Sequence, residues 1–512
     1  MSTVLPECPK IQIKQDTSLP DENRIREFDA MILIMDADGE AGGFQTANGA
    51  GHHLPTSIAK RAQARLAQSP EGSGPFFLSA GEARLALLRV SDRIDTFGAL
   101  NLMRKAMAGL MDDHPQAIAL INCGMHARPA ERLAEAAVAA LLAARFPLPK
   151  LGKPPKDPAA AEALTLFGNL GAPDIHRAEA TAEGNNLARW LTHLPPNHLT
   201  PGRYRELAET LAEREGWTSR FLGVKELRRL GAGAFLSVVE ASPTEDAGIL
   251  HLQYRPSGAS GQPFTLVGKG ICFDTGGTNL KSADGMYGMH GDMQGSAVAL
   301  GSLLALSRLG FTQPVDCWLA LAENHIGSRA AKPNDVVTAV DGTTIEIVNT
   351  DAEGRMVLAD TLALARRERP RAILDYATLT GSCVTALGHR ISGAISNRPD
   401  WIQPLLDCGQ RTGERVWPLP YAEDYDEDLE SGVADVLQCR PPAEADHLYA
   451  ARFLGRFVGT DIPWVHVDLS AGHRKGGLGH IGTDITGFGV RFGVEWMHFL
   501  QDNQELSDQT TG

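Results

Sequence analysis

At 512 residues the chain is too long for one hydrophobic core, and its length sets roughly three domains as an upper bound. A make-up of 43% hydrophobic and 21% charged residues is that of a folded globular protein and excludes general disorder. The formal charge of -14 argues against a general binder of nucleic acid or of an anionic membrane, although a local basic patch remains compatible with it.

Residues 1–28 are polar, contain proline and show no clear period. They lack a basic stretch followed by an apolar one, so no secretory leader is expected. Residues 31–36 read as a short buried strand, residues 39–53 as a Gly-rich loop, and residues 76–79 and 87–90 as two further strands. Residues 96–111 place apolar side chains at helical spacing, 117–122 form another strand, and 129–146 form an Ala-rich helix with Pro129 in its first turn. Strands alternating with helices predict a small α/β domain. His52 and His53 are adjacent, but a histidine pair in a Gly-rich loop is more often a surface feature than a ligand pair. Residues 147–158 hold five prolines, which cannot continue a helix. The expected division is therefore an N-terminal domain over 1–172, with its linker near 147–160, and a larger domain over 173–512. The short apolar run 164–167 can still belong to the first.

The second domain opens with a helix over 178–194 that Pro195 and Pro196 stop. Thr200 can cap the next helix, with Pro201 at its first position. Gly231 to Phe235 superficially suggests a nucleotide loop, but a third glycine and a preceding strand are missing. Strands follow at 249–254 and 264–268, and the second runs directly into Lys269, Asp274 and Lys281, set among glycines; Asp292 comes shortly after. A strand at 315–324 precedes the most informative stretch. There, residues 345–348 alternate as a strand entering a core, Met356 to Ala359 begin a helix, and Asp351, Glu353 and Arg355 lie between, with Gly354 allowing a tight path. Residues 372–381 read as a strand ending in Thr378-Leu379-Thr380-Gly381. The acidic run 421–430 reads as a solvated face, 464–470 as a last strand and 486–500 as a closing helix. Residues 471–480 are polar and basic, with His473, Arg474, Lys475 and His480. No apolar run reaches the ~18 residues of a membrane span. Seven scattered cysteines without a CxxC pair suit free thiols in a reducing, cytoplasmic setting.

Taken singly, each of these charged residues is bland: a surface lysine, a loop acid, a turn with an exposed ion pair. Together, Asp274, Asp292, Asp351 and Glu353 are four carboxylates at or beside strand ends, and such a cluster repels itself unless cations or protons compensate. Two divalent ions would do so. Oxygen donors suit Mn(II) or Mg(II), and an added amine also suits Zn(II), while no His-rich spacing points to a histidine zinc site. A cationic Arg355 at a helix start opposes the helix dipole, which favours an anion beside it.

The run Asn349-Thr-Asp-Ala-Glu-Gly-Arg355 followed by an apolar helix resembles the signature of the leucyl aminopeptidase family of dinuclear-metal exopeptidases, the cytosol aminopeptidases. Gly268-Lys-Gly with Asp274, Gly276-Gly277 and Lys281, then Asp292-Met293 with Gly295, matches a second motif of that family in the right order, and Thr378-Leu-Thr-Gly381 a third. The opening Pro196-Asn-His-Leu-Thr-Pro201 is similar too, with Thr192 where the family has asparagine; further on, Lys332 and Asn334 replace its usual arginine and glycine. The resemblance runs over about residues 174–500.

This resemblance implies a small N-terminal α/β domain and a larger α/β catalytic domain whose mixed central sheet is flanked by helices. It implies a metal-dependent aminopeptidase acting on peptides with a free N-terminus. Of its two divalent ions (Mn2+ or Zn2+), one would be held by Asp274, Asp351 and Glu353, the other by Lys269, Asp274, Asp292 and Glu353. Lys281 would stabilise the oxyanion and Arg355 would hold a bicarbonate. Met289, Thr378, Leu379 and Gly381 would line the substrate cleft, which residues 471–480 border in the family. A homo-hexamer in the cytoplasm is implied; the acidic balance speaks against nucleic acid as a partner, and the lack of a long apolar run against a membrane. The competing readings are a non-catalytic or DNA-binding scaffold of the same fold, and a dinuclear hydrolase of another bond such as a phosphoester. The sequence leaves the native metal, the preferred first residue and the physiological peptide open.

Overall fold

In the computed structural model, residues 5–36, 74–80, 83–153, 161–441 and 444–503 are described. The Gly-rich stretch 39–53, His52 and His53, and the second half of the Pro-rich run lie outside them. The described chain divides into two compact units. One comprises Glu7–Ala182 together with Lys475–Asp484, and the other holds the remainder, including Glu183–Arg474.

The first unit is built on a 6-stranded sheet. Its spatial order is Gln12–Asp16, Ala163–Phe167, Ala117–Asn122, Ala30–Asp36, Ala83–Val90 and Phe76–Ala80, parallel except for the last pair. The two central strands are buried almost throughout, as continuous Ile/Leu/Ala runs require. Helices Thr96–Met111 and Ala127–Arg145 bury Leu100, Met103, Leu133 and Leu141 in the same apolar core. Residues 164–167 belong to this sheet. The strand Gln12–Asp16 falls where the sequence shows no period: it is an edge strand, most of its side chains are solvated, and its order comes from backbone pairing with Ala163–Phe167. Late in the chain, the excursion Lys475–Asp484 is fastened to the helix Thr96–Met111 by Arg104, which donates to the carbonyls of Gly476 (2.6 Å) and Gly479 (3.0 Å).

The second unit carries an 8-stranded mixed sheet. In spatial order its strands are Val416–Pro418, Ser392–Ser396, Trp464–Asp468, Ala372–Ala377, Phe264–Asp274, Val315–Asn324, Gly248–Tyr254 and Thr218–Gly223. The four from Trp464–Asp468 to Val315–Asn324 run parallel, and antiparallel pairings flank them on either side. Helices Gln294–Arg308 and Glu353–Arg367 pack on it with long buried stretches. The α/β architecture with a mixed central sheet is thus the one observed. Thr200 caps the helix Pro201–Glu215 by accepting from the Arg203 amide.

Two local expectations change. The acidic run is a 3-10 turn, Glu423–Leu429, whose Leu429 is fully buried. Its Asp426 accepts from Arg452 and its Asp428 from the Tyr449 hydroxyl (2.8 Å each), so it is anchored rather than simply solvated. The closing helix, Val490–Asp502, starts later than residue 486, because Gly487 and Gly489 take positive φ (61° and 114°) and break helical geometry. Buried Glu414 accepts from the amides of Gly489 and Phe492 at that helix start (2.9 Å each), and burial pushes its carboxyl up to about 7.

Helix Gln294–Arg308 crosses helix Ile175–His193 backbone to backbone: a β-carbon on Gly301 would lie 2.4 Å from the Gly184 carbonyl oxygen. Alanine in place of a helical glycine gains about 1 kcal/mol of propensity, but overpacking a rigid backbone contact costs about 1–3 kcal/mol. The clash wins, and Gly301→Ala is expected to lower the denaturant midpoint; a raised midpoint would contradict this crossing.

Candidate metal centre

The parallel strands Phe264–Asp274, Ala372–Ala377 and Trp464–Asp468 end side by side, and ligand sites in open α/β sheets lie at such carboxyl ends. Asp274 is the last residue of the first. The pairing register slips between Ala322 and Asn324, a bulge that sets Asn324 opposite Asp274. Asn324 Nδ2 and the Gly276 amide both donate to Asp274 Oδ1 (2.8 Å each), and Asp274 Oδ2 lies 2.9 Å from Lys281 Nζ.

Asp351 and Glu353 come from a turn between two elements. The alternation at 345–348 does not enter the large sheet: its strand, Thr344–Glu346, belongs to a separate 3-stranded sheet. The turn that follows is shaped by Gln438, whose Oε1 accepts from Val348 and Asn349 (3.0 Å each) and whose Nε2 donates to the Ala352 carbonyl (3.0 Å). Thr350 Oγ1 ties it to the Gly276 carbonyl (2.7 Å). The helix begins at Glu353, earlier than Met356, and an acid at that end is favoured by the helix dipole. Gly354 is helical and makes no special turn. Its role is steric, since a β-carbon there would sit 2.6 Å from Lys269 Cε.

Lys269 crosses that glycine and reaches Asp292 Oδ2 and Glu353 Oε1, both at 2.9 Å, and donates to the Thr378 carbonyl (3.1 Å). Asp292 follows the 3-10 turn Met289–Gly291 and accepts from Thr378 Oγ1 at Oδ1 (2.7 Å). Lys281 Nζ stands 2.5 Å from Asp351 Oδ1. Asp274, Asp351 and Glu353 each offer an oxygen within 4.8 Å of the others. The structure therefore gathers all four expected carboxylates around two lysines.

The electrostatics follow from burial. Desolvation pushes Glu353 up to about 8 and Asp292 to about 6, against the attraction of Lys269. Asp351 is raised as well, chiefly by burial. For Lys269, burial disfavours the ammonium, but Asp292, Glu353 and Asp274 more than offset it, so its pKa rises; Lys281 is raised likewise by Asp274 and Asp351. Four buried oxygens have no well-directed hydrogen bond: Asp292 Oδ2, Asp351 Oδ1 and both of Glu353. Three of them have a lysine ammonium within reach, and Glu353 Oε2 has none. Such oxygens are costly to bury unless a cation meets them.

The matching stretch is residues 186–494, which fit the catalytic domain of the cytosol aminopeptidase family. The chain belongs to that family. A probable cytosol aminopeptidase of Stutzerimonas stutzeri is 43% identical over 309 residues, 59% of this chain and 62% of its own length. One from Azotobacter vinelandii is 40% identical over 63% of this chain and 66% of its own length, so these matches span under two thirds of either relative. One from Desulfovibrio desulfuricans is 38% identical over 78% of this chain and 83% of its own. Among solved structures, a lysine-to-glutamate mutant of tomato leucine aminopeptidase superposes with a TM-score of 0.82 at 26% identity, covering 96% of this chain and 98% of that one.

In this member of the family the Thr378–Gly381 segment adjoins the acidic cluster through Thr378. Leu379 is half-buried against the apolar core; its amide donates to Asp468 Oδ1 (3.0 Å), as does that of Thr380 (3.3 Å). Gly381 is exposed and opens the short helix Gly381–Leu387, and Met289 is half-buried three residues before Asp292. Arg355 is 1% exposed; its Nη2 donates to Asp446 Oδ2 (2.6 Å) and its Nη1 to the Gln438 carbonyl (3.2 Å). Asn324, Gln438, Asp446 and Asp468 escaped the sequence reading as site residues. Asn324 and Asp468 end strands adjacent to other site strands, which is a usable signal, whereas Gln438 and Asp446 sit in a stretch without any period.

The donor set fits divalent cations: buried carboxylate oxygens without well-directed hydrogen bonds, with one amine among them. A cation that takes Lys269 and Glu353 as ligands must displace the Lys269 ammonium proton and compete with protonation of Glu353, whose carboxyl pKa is raised by burial. Calorimetry of chelator-treated protein with Mn2+ or Zn2+ near pH 7, in buffers of different ionisation enthalpy, is expected to show proton release and weaker binding as pH falls. Glu353→Gln should reduce both. Uptake without proton release would contradict this account of the site.

Proposed function

We propose that this protein is a metal-dependent aminopeptidase that hydrolyses the N-terminal residue from peptides with a free α-amine. The observation that carries the reading is the cluster of Asp274, Asp351 and Glu353, largely buried and with oxygens that lack a well-directed hydrogen bond, in a chain of this family. Asp274, Asp351 and Glu353 would hold one divalent ion, and Lys269, Asp274, Asp292 and Glu353 a second, with Mn2+ or Zn2+ as candidates. Bound there, the ions would engage the substrate's amine and carbonyl and make a water acidic enough to attack at neutral pH.

The protein's own groups do the rest. Lys269 is an ammonium while it balances Asp292 and Glu353, and it can act as a ligand only after losing that proton. Asn324 and the Gly276 amide hold Asp274 by one oxygen. Lys281, less enclosed than Lys269, offers a fixed positive charge to the oxyanion that forms at the scissile carbonyl. Thr378, Leu379 and Gly381, with Met289, would line the cleft for the first side chain. The segment 173–512 is the proposed catalytic domain. A homo-hexamer in the cytoplasm is the assembly the family resemblance supports. Among the described residues no helix is long and apolar enough to cross a membrane.

An aminoacyl anilide should be cleaved, the activity should vanish with chelator and return with Mn2+ or Zn2+, and the N-acetylated counterpart should be inert. Lys281→Ala should lower kcat by about 10²–10³-fold, as for loss of an oxyanion donor, while calorimetric metal uptake persists. Cleavage of the acetylated substrate at a comparable rate would overturn the reading.

A further inference from the structure

We propose that the carboxylate of Asp446 is the built-in anion of Arg355, replacing the bicarbonate expected there, and that Asp446 is a positioning residue for the turn carrying Glu353. The rate measurement below rests on the aminopeptidase reading.

Arg355 lies in the first turn of the helix that Glu353 opens, where a guanidinium opposes the dipole, and it is 1% exposed. A buried cation in that position requires an anion. A small oxyanion binds arginine through two parallel N–H groups along one edge. Here Nη2 is committed to Asp446 and Nη1 to the Gln438 carbonyl, and only Nε lacks a hydrogen bond. Every edge of the guanidinium therefore shares a donor with a partner already in place, and the site does not fit bicarbonate.

Asp446 is well placed for this task. It is the first residue of the helix Asp446–Val458, where a negative charge is favoured, and that helix packs against Glu353–Arg367. Ala445 before it sits at φ 54°, a left-handed conformation that alanine rarely adopts and that persists where the surroundings demand it. The pair thus joins two helix starts. Next to it, the His447 amide donates to Ser382 Oγ (2.9 Å), Ser382 donates to Thr380 Oγ1 (3.2 Å), and Thr380 donates to Asp468 (2.7 Å). One short turn accordingly braces the helix bearing Glu353 and the segment following Thr378. The Asp446 side chain is 17% exposed, so solvent reaches the carboxylate side of the pair.

The test compares the full-length metal-loaded protein with Asp446→Ala and Asp446→Asn, in buffer stripped of bicarbonate. The parent rate should not change on stripping. Asp446→Ala should lose kcat by about 10²-fold, the scale of a misplaced site, with a smaller change in KM. Added bicarbonate or formate should restore much of that loss, and chloride at equal ionic strength should not. Asp446→Asn, which fills the space without charge, should stay low under all three. Formate should also raise the unfolding midpoint of Asp446→Ala more than that of the parent, a readout independent of catalysis. The proposal is overturned if the parent needs bicarbonate, if Asp446→Ala keeps its full rate without it, or if neither rate nor midpoint of that variant responds to formate. A parent that cleaves no aminoacyl anilide would refute the peptidase reading instead, and the midpoint arm would still decide the role of Asp446.

Discussion

Three buried carboxylates with a fourth, half-buried one beside them are the constraint on which this structure turns. Asp274, Asp292, Asp351 and Glu353 arrive from distant parts of the chain, and no fold tolerates that concentration of negative charge without nearby cations. In the protein alone, Lys269 and Lys281 provide the compensation, each bridging two acids. Much of the local architecture makes this convergence possible: the bulge opposite Asn324, the missing side chain at Gly354, and the turn held by Gln438 and Thr350.

The compensation is incomplete. The lysines come close to three of these buried oxygens, and Glu353 Oε2 finds no hydrogen-bond partner among the described residues. Raised carboxyl pKa values and a raised lysine pKa are two sides of this balance, with ammonium groups standing where dications would otherwise neutralise the acids. A site of this kind is prepared for metal, and the chemistry of its acids depends on whether metal is present.

How much of this could be read beforehand varied with how local the interactions are. The strands at 117–122 and 315–324 and the helix at 96–111 were legible to the residue, because burial imposes a period on contiguous positions. The cluster was legible for a similar reason: Lys269, Asp274 and Lys281 form one compact motif, and Asp351, Glu353 and Arg355 another. Gln438 and Asp446 were invisible because they act across more than eighty positions of sequence, through side-chain hydrogen bonds that leave no pattern. The strand Gln12–Asp16 was missed because its order comes from backbone pairing rather than from buried side chains. The strand at 345–348 was read as entering a core, and Ile345 and Ile347 are buried in one; alternation says that one face is covered, not which strands its backbone pairs with.

The excursion Lys475–Asp484 bears on synthesis. Its backbone completes a unit otherwise made from the first third of the chain, held there by Arg104. As the ribosome releases the polypeptide, that early unit can collapse around its sheet long before its final piece exists. Its assembly is finished only when nearly all the rest has been made, and a fragment ending at residue 172 would leave Arg104 without the carbonyls it clasps.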